Sequence, residues 1–269
     1  MKRYAVLGEH LPHTISPAIH RVIFELMGIA GDYGILEVAR DEAPRIRERL
    51  LADGYAGVNV TIPYKETAIP QLDALSDEAR EIGAVNTISI ENGRLTGYNT
   101  DYYGLEALFS RVGIPLRGGR VAVLGTGGAA KAACAYLKSA DVEFLFTVSR
   151  TAQGAPIPGA ARISYEELAA MSGDVIVNAT PVGMFPHTGV SPVPGAVIRR
   201  FGAAVDLIYN PAETEFLRLA AANGLKTANG LTMLLMQAVR AEEIWQRRAM
   251  PEDARTELLR RFEEQNGES

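Results

Sequence analysis

The chain of 269 residues contains a single cysteine, Cys134. One thiol closes no internal disulfide, which excludes a disulfide-framed scaffold, and without partner cysteines a zinc ribbon is excluded too. Long hydrophobic runs are missing as well. No stretch approaches about 18 uncharged apolar residues, so no membrane span is expected, and the apolar run near Met1 is too short for a signal peptide. Nor is there an excess of one charge: 27 Lys and Arg stand against 32 Asp and Glu, a formal −5. Basic clustering of the kind that tracks a phosphate backbone is absent, so nucleic acid is not an expected partner. Internal repeats and low-complexity segments are absent. What remains is a globular α/β protein, expected in the cytoplasm, with length for about two domains.

Two alternations of strand and helix fill that length. Tyr4 to Leu7 is a short apolar run that predicts a strand. Ser16-Pro17 then opens a helix with Gly28 as its stop, Ser being a preferred N-cap and Pro suited to the first turn. Ile35–Val38 reads as a second strand, Glu42–Leu51 as a helix and Val58–Ile62 as a third strand. Ala84–Ile90 and Leu95–Tyr98 flank Asn92-Gly93, a pair that favours a tight hairpin turn. The second alternation runs through strand Val121–Leu124, helix Ala129–Ser139, strand Glu143–Val148, helix Tyr165–Ala170, strands Asp174–Val177 and Ala203–Leu207, and helix Glu213–Asn223 stopped by Gly224. Leu231 to about Arg248 and 252–264 read as final helices, and Gln153–Pro158 as a loop. Cys134, among Ala132, Ala133 and Ala135, reads as a small packing residue and not a nucleophile.

The second alternation begins with a glycine-rich turn. Gly125-Thr126-Gly127-Gly128-Ala129-Ala130 follows an apolar strand and opens a helix, in the pattern G-x-G-x-x-A. The first Gly allows a tight turn, the second lets backbone approach a pyrophosphate, and the small residue at the third place lets helix and strand pack closely. The helix N-terminus then offers unpaired N–H groups and a positive dipole end; a ligand-free glycine turn would share the pattern. The next strand runs into Ser149-Arg150-Thr151. An acid here would hold the ribose 2′-hydroxyl of NAD; a guanidinium between two hydroxyls suits a 2′-phosphate, which favours NADP, although a solvated loop charge reads the same way.

Polar residues interrupt the strands of the first half. His13-Thr14-Ile15-Ser16-Pro17 follows the first strand. Asn59, Thr61 and Lys65 lie on or past the third, Asn86 and Thr87 interrupt 84–90, and Asn99-Thr100-Asp101 follows the hairpin. In open α/β sheets ligands collect at the carboxyl ends of strands. Lys65 and Asp101 are the pair able to do chemistry: a carbonyl reduced to an alcohol needs a proton, which a lysine can give while a carboxylate holds and tunes it. A surface salt bridge would use the same two residues. Gln237 places an amide within an apolar helical stripe and needs a partner once buried, unless it sits at the stripe's edge.

These segments, taken together and in order, resemble the shikimate dehydrogenase family over almost the whole chain. The segments that carry the resemblance are Gly8 with His13–Pro17 and His20, Gly57–Lys65, Gly83–Thr87, Gly97–Asp101, Gly125–Ala130, Ser149–Thr151, Asn178–Pro181, Asp206–Pro211 and Gly230–Gln237. The resemblance implies a substrate-binding α/β domain (1–104, with 231–269 packing back onto it) and a Rossmann NADP-binding domain (105–230). It implies reversible, NADP-dependent reduction of 3-dehydroshikimate to shikimate by a cytoplasmic monomer or homodimer, without a metal. Lys65 then matches the acid/base and Asp101 its partner. Thr14 and Ser16 match the substrate-carboxylate hydroxyls, and Thr61, Asn86 and Gln237 the residues on the ring hydroxyls. Gly125, Thr126, Gly127, Gly128, Ala129, Ala130, Ser149, Arg150 and Thr151 match the cofactor loops, with Ala179, Thr180 and Leu207 along its course. Gly230, Met233 and Tyr209 match the nicotinamide end, where Tyr209 also neighbours the substrate. Two motifs depart from the family pattern, at three positions. Thr14 stands where Ser is usual, with a methyl group and a stiffer rotamer that bear on preference among shikimate, quinate and amino analogues. Ser149 stands where Asn is usual and Gly154 where a base is usual, which weakens the hold on NADP.

Overall fold

A computed structural model describes residues 1–151 and 155–267; Gly154 and part of the loop expected at 153–158 lie outside them. In chain order the elements begin β1 (Lys2–Gly8), α1 (Ser16–Met27), β2 (Gly31–Glu37), α2 (Ile46–Ala52), β3 (Tyr55–Val60), α3 (Tyr64–Thr67), β4 (Ala74–Leu75), α4 (Asp77–Ile82), β5 (Thr87–Glu91) and β6 (Arg94–Tyr98). They continue α5 (Asp101–Val112), β7 (Arg120–Leu124), α6 (Gly128–Ser139), β8 (Phe144–Val148), β9 (Ala161–Ile163), α7 (Tyr165–Ala170) and β10 (Gly173–Asn178). The last are α8 (Gly195–Ile198), β11 (Phe201–Asp206), α9 (Glu215–Ala222), β12 (Lys226–Ala228), α10 (Leu231–Gln246) and α11 (Glu252–Gly267). The chain divides into two compact units, Met1–Thr100 with Leu235–Ser269, and Asp101–Leu234.

The first unit is built on a six-stranded mixed sheet in the order β2-β1-β3-β5-β6-β4. Period-two alternation along the strands sends side chains to opposite faces. Ala5, Leu7, Val58, Val60, Ile88 and Leu95 meet Ile46 and Leu50 of α2 on one face. Tyr4, Val6 and Tyr33 meet Phe24 of α1 and Ala241 and Trp245 of α10 on the other. The approach of α10 depends on Gly57: a Cβ there would lie 2.3 Å from Trp245 Nε1, and that Nε1 donates to the Ile88 carbonyl at 3.0 Å. The β5–β6 hairpin turns at Asn92 (φ 49°) and Gly93 (φ 76°), with Glu91 opposite Arg94, the left-handed pair that a primed turn requires.

The second unit has a six-stranded sheet in the order β12-β11-β10-β7-β8-β9, parallel throughout. From β7 the chain steps outward through β8 and β9, then returns to β10 and steps the other way through β11 and β12. That is the doubly wound order of a Rossmann domain, and its ligands gather where the order reverses, at the carboxyl ends of β7 and β10. Leu124, Val148, Ile176 and Ala204 pack under Leu168, Ile198 and Phe216. Cys134 is fully buried and burial pushes its thiol up to about 12, so it packs and does not react.

The structure revises several expected boundaries. Ser16 is the first residue of α1, and Ile15 is its N-cap, without a side-chain cap hydrogen bond. β2 begins four residues earlier than the apolar run at Ile35, because pairing with β1 recruits Gly31–Gly34. The helix expected over 42–51 is a short 3-10 turn at Ala43–Arg45 followed by α2, since Pro44 cannot donate within a continuous helix. β3 ends at Val60, which leaves Thr61 beyond the strand. β11 ends at Asp206, which leaves Leu207 in the following loop. α9 begins at Glu215, two residues later than expected, with Thr214 as its N-cap, and Gly224 (φ 74°) follows the C-cap Asn223 as the expected stop.

Candidate functional site

In the first unit the polar residues sit at the carboxyl ends of β1, β3 and β6 and, contrary to the expectation for Asn86 and Thr87, at the amino end of β5, which runs antiparallel to β3 and so brings its first residue to the same edge. At the start of α1, Thr14 Oγ1 donates to Ser16 Oγ at 3.2 Å and the Ser16 N–H donates to Thr14 Oγ1 at 3.3 Å. These two hydroxyls face each other at a helix N-terminus, a setting that favours a carboxylate. Thr61 follows β3, its N–H bonded to the Leu7 carbonyl at 2.9 Å; a Cβ on Gly8 would lie 2.8 Å from Thr61 Cγ2. Lys65 lies on α3, half-buried. Its carbonyl accepts from Val85 N–H at 2.7 Å, and Tyr64 Oη donates to the Val38 carbonyl at 2.5 Å, so the short helix is held from two sides.

A buried hydrogen-bonded chain joins the remaining residues. Tyr33 Oη donates to Asn59 Oδ1 at 2.6 Å, and Asn59 Nδ2 donates to Thr87 Oγ1 at 3.0 Å. Asn86 Oδ1 takes the Thr100 N–H at 2.7 Å and lies 3.1 and 3.2 Å from the Thr100 and Thr87 hydroxyls. A backbone N–H can only donate, so the carbonyl side of the Asn86 amide is fixed inward and its NH2 is the side turned to Gln237 Oε1, at 3.5 Å. Thr100 Oγ1 is 3.4 Å from the same Oε1. Gln237 is half-buried and tied to the two residues, not stranded at the edge of its stripe. Asp101, 5% exposed, opens α5 as the first residue of the second unit, whereas Lys65 belongs to the first.

In the second unit the ends of β7, β8, β10 and β11 are linked in turn. Gly125 N–H donates to the Val148 carbonyl, Ala179 N–H to Leu124 and Leu207 N–H to Asn178, at 3.0, 3.0 and 2.9 Å. Gly125 has φ +111°, and a Cβ there would lie 3.1 Å from the Ala179 carbonyl oxygen. Gly127 is the N-cap of α6, without a side-chain cap, and a Cβ there would meet nothing within 4 Å. Thr126 is exposed, Gly128 and Ala129 partly so, and Ala130 is buried against the sheet. Beyond β8, Thr151 N–H donates to Ser149 Oγ at 3.3 Å and Arg150 is exposed. Gly230 N–H donates to the Ile208 carbonyl at 2.9 Å. Burial raises the Tyr209 phenol, and Met233 is buried, its carbonyl 2.5 Å from where a Cβ on Gly104 would be.

The residues present suit NADP. The N-terminus of α6 has no side-chain cap and begins at a glycine with open space on its Cβ side, the switch point lies beside it, and the segment after β8 offers a guanidinium and two hydroxyls with no acid. Among the described residues no cluster of three or more His, Cys, Asp or Glu could hold a metal, and no helix is long and apolar enough to cross a membrane.

Comparison with known proteins decides the family. Residues 6–88 match the model of the shikimate dehydrogenase substrate binding domain. A shikimate dehydrogenase (NADP(+)) of Clostridium beijerinckii is 42% identical over 249 residues, 91% of this chain and 92% of that one. The chain belongs to the shikimate dehydrogenase family. Two solved members carry the likeness into three dimensions. Shikimate dehydrogenase 1 of Peptoclostridium difficile superposes with a TM-score of 0.94 at 41% identity, covering 97% of this chain and 98% of that one. The shikimate 5-dehydrogenase of Thermus thermophilus, solved in complex with NADP(H) and shikimate, gives 0.86 at 38%, covering 97% and 99%. The first unit is thus the family's substrate domain and the second its Rossmann NADP domain.

Motif reading in this family gave no role to three residues. Thr87 and Thr100 fix the Asn86 amide, and Asp206 joins two loops of the Rossmann domain. Thr87 and Thr100 stood among the polar residues that interrupt or follow strands, without a role, and Asp206 stood within its motif as a spacer; the signal that could have found it was a polar side chain at the end of an apolar strand, where burial demands a partner.

Proposed function

We propose that this protein reduces 3-dehydroshikimate to shikimate reversibly with NADPH. The reading is carried by the similarity, over 97% of the chain, to an enzyme solved with both NADP(H) and shikimate. In it Thr14 and Ser16 hold the substrate carboxylate at the N-terminus of α1. Asn86 presents N–H donors to a ring hydroxyl, since its carbonyl side is already bonded inward, and Thr61 and Gln237 complete the hold on the ring. Gly125–Ala130 hold the pyrophosphate, Ser149, Arg150 and Thr151 the 2′-phosphate, and Ala179, Thr180, Leu207, Tyr209, Gly230 and Met233 the remainder of NADP. When bound, NADPH supplies the hydride. The Lys65 ammonium gives its proton to the carbonyl oxygen as negative charge develops there and takes it back in the reverse direction, and the Asp101 carboxylate orients the reacting hydroxyl. The proposal is for a cytoplasmic enzyme, monomer or homodimer, and its lone buried thiol suits a reducing compartment.

Shikimate mixed with NADP should raise NADPH absorbance, with higher kcat/KM than quinate gives and higher with NADP than with NAD. Absence of any shikimate-dependent reduction would refute the activity, and a clear quinate preference would refute the substrate. Thr14 favours neither by geometry alone, because its hydroxyl keeps the bond to Ser16.

A further inference from the structure

We propose that Asp206 is the positioning residue of the cofactor site: its buried carboxylate fixes, in one place, the two loops Ala179–Thr180 and Leu207–Tyr209. The inference rests on the reading that these loops bind NADP. Asp206 is the last residue of β11 and is fully buried. Its Oδ1 accepts the Ile208 N–H at 3.0 Å and the Asn178 Nδ2 at 3.0 Å, and its Oδ2 accepts the Thr214 hydroxyl at 2.6 Å. Three uncharged donors from three segments converge on it, and an ionised carboxylate, with acceptors only, takes all of them.

Each arm leads to a different part of the site. Asn178, held by Asp206, accepts the Thr180 N–H at 3.0 Å and the Thr180 hydroxyl at 2.7 Å, which sets the loop after β10. Ile208, held by Asp206, offers its carbonyl to Gly230 N–H at 2.9 Å, which sets the loop after β11 against the turn into α10. Gly230 packs so closely on this loop that no side chain fits there, since a Cβ would lie 2.2 Å from the Leu207 carbonyl oxygen. The third arm, Thr214, is the side-chain N-cap of α9, its hydroxyl taking the Leu217 N–H at 3.3 Å. Burial raises the Asp206 carboxyl to about 6 in spite of the three bonds. A group so costly to keep charged holds its place through what it organises, not through its own contribution to the core.

The test compares Asp206→Ala, Asp206→Asn, Asn178→Ala and Thr214→Val. NADPH dissociation constants are measured by cofactor fluorescence, shikimate affinity by calorimetry without cofactor, and melting temperature separately. Asp206→Ala and Asn178→Ala should each weaken NADPH by about tenfold, the effect of losing a bond to a buried charged or amide group, while shikimate affinity stays within about twofold. Asp206→Asn keeps an oxygen for Ile208 and Asn178 and should restore most of the NADPH affinity. Thr214→Val should lower the melting temperature and leave NADPH affinity unchanged. Should Asp206→Ala fail to fold, Asn178→Ala carries the same expectation through the Thr180 arm. Unchanged NADPH binding in both, or equal losses of NADPH and shikimate, overturns the inference. Failure of the wild-type protein to bind NADPH overturns the cofactor reading instead.

Discussion

Lys65 is the group proposed for proton transfer: Thr14, Ser16 and Thr61 are hydroxyls of ordinarily high pKa, Asn86 and Gln237 do not titrate, burial raises the Tyr209 phenol further, and Asp101 is cast as the orienting partner. Replacement by alanine should therefore reduce kcat by about 10²- to 10⁴-fold, the span of general acid–base catalysis, with shikimate KM moving much less. Steady-state kinetics check this, and a kcat within a few fold of wild type would remove Lys65 from the acid/base role. Arg150 invites a second measurement. Exposed at the end of β8, it has little to do with folding, so Arg150→Ala should raise the NADPH KM by about tenfold or more through loss of a charge-assisted phosphate contact, and leave the NADH KM nearly unchanged. Equal effects on both cofactors would show that Arg150 does not read the 2′-phosphate.

Elements are where the sequence proved readable and where it stopped. Gly57 illustrates the limit. Within the stretch Gly57–Lys65 it looks like one more motif residue, yet its role is to let the α10 tryptophan lie on β3, 188 residues later by subtraction of 57 from 245. Gly57→Ala should destabilise the first unit by about 1–3 kcal/mol, the range for overpacking a filled core. Denaturation followed by fluorescence of Trp245, the single tryptophan, checks it, and unchanged stability would mean that α10 adjusts freely. Strands with apolar runs, the Asn92-Gly93 hairpin and helix Tyr165–Ala170 were legible, because local composition alone decides them. Helix α5 was not: its first turn, Asp101-Tyr102-Tyr103-Gly104, has weak helical propensity, and its order comes from packing, with the Phe109 ring stacked on Tyr136 of α6 at 5.6 Å. Nor was β4, two residues long and defined only by pairing with β6. In the site the same division holds. Lys65, Asn86 and the glycine turn announce themselves by residue type. The Asn178–Asp206–Thr214 bonds join positions 28 and 8 residues apart across strand ends, and only the sheet order brings them together.

At the scale of the whole molecule, a formal charge of −5 hides a carboxylate whose titration works against the usual trend. Most carboxylates with a shift here lie at or near the surface and are lowered by arginine, as Glu257 is by Arg260 and Arg261, to about 2. Asp206 is raised from 3.8 to about 6 by burial. Between those two values the folded protein binds more protons at this group than the unfolded chain does. Stability therefore falls as pH rises through that interval, and above the folded value the full penalty is in place. The shift of about two units corresponds to roughly 3 kcal/mol. Acid loss at the other carboxylates runs the opposite way, so the wild-type curve alone does not isolate the effect, but a comparison does. Asp206→Asn cannot ionise. Relative to wild type it should therefore be more favourable at about pH 7.5 than at about pH 4.5, by roughly 2 kcal/mol, since part of the penalty is already in place at the lower pH. Hydrogen exchange at the amides of β10 and β11 measures this within the unit concerned, without assuming that both units unfold together. A difference between variant and wild type that stays constant across the interval would show that Asp206 titrates near the ordinary carboxylate value, and that its three bonds outweigh its burial.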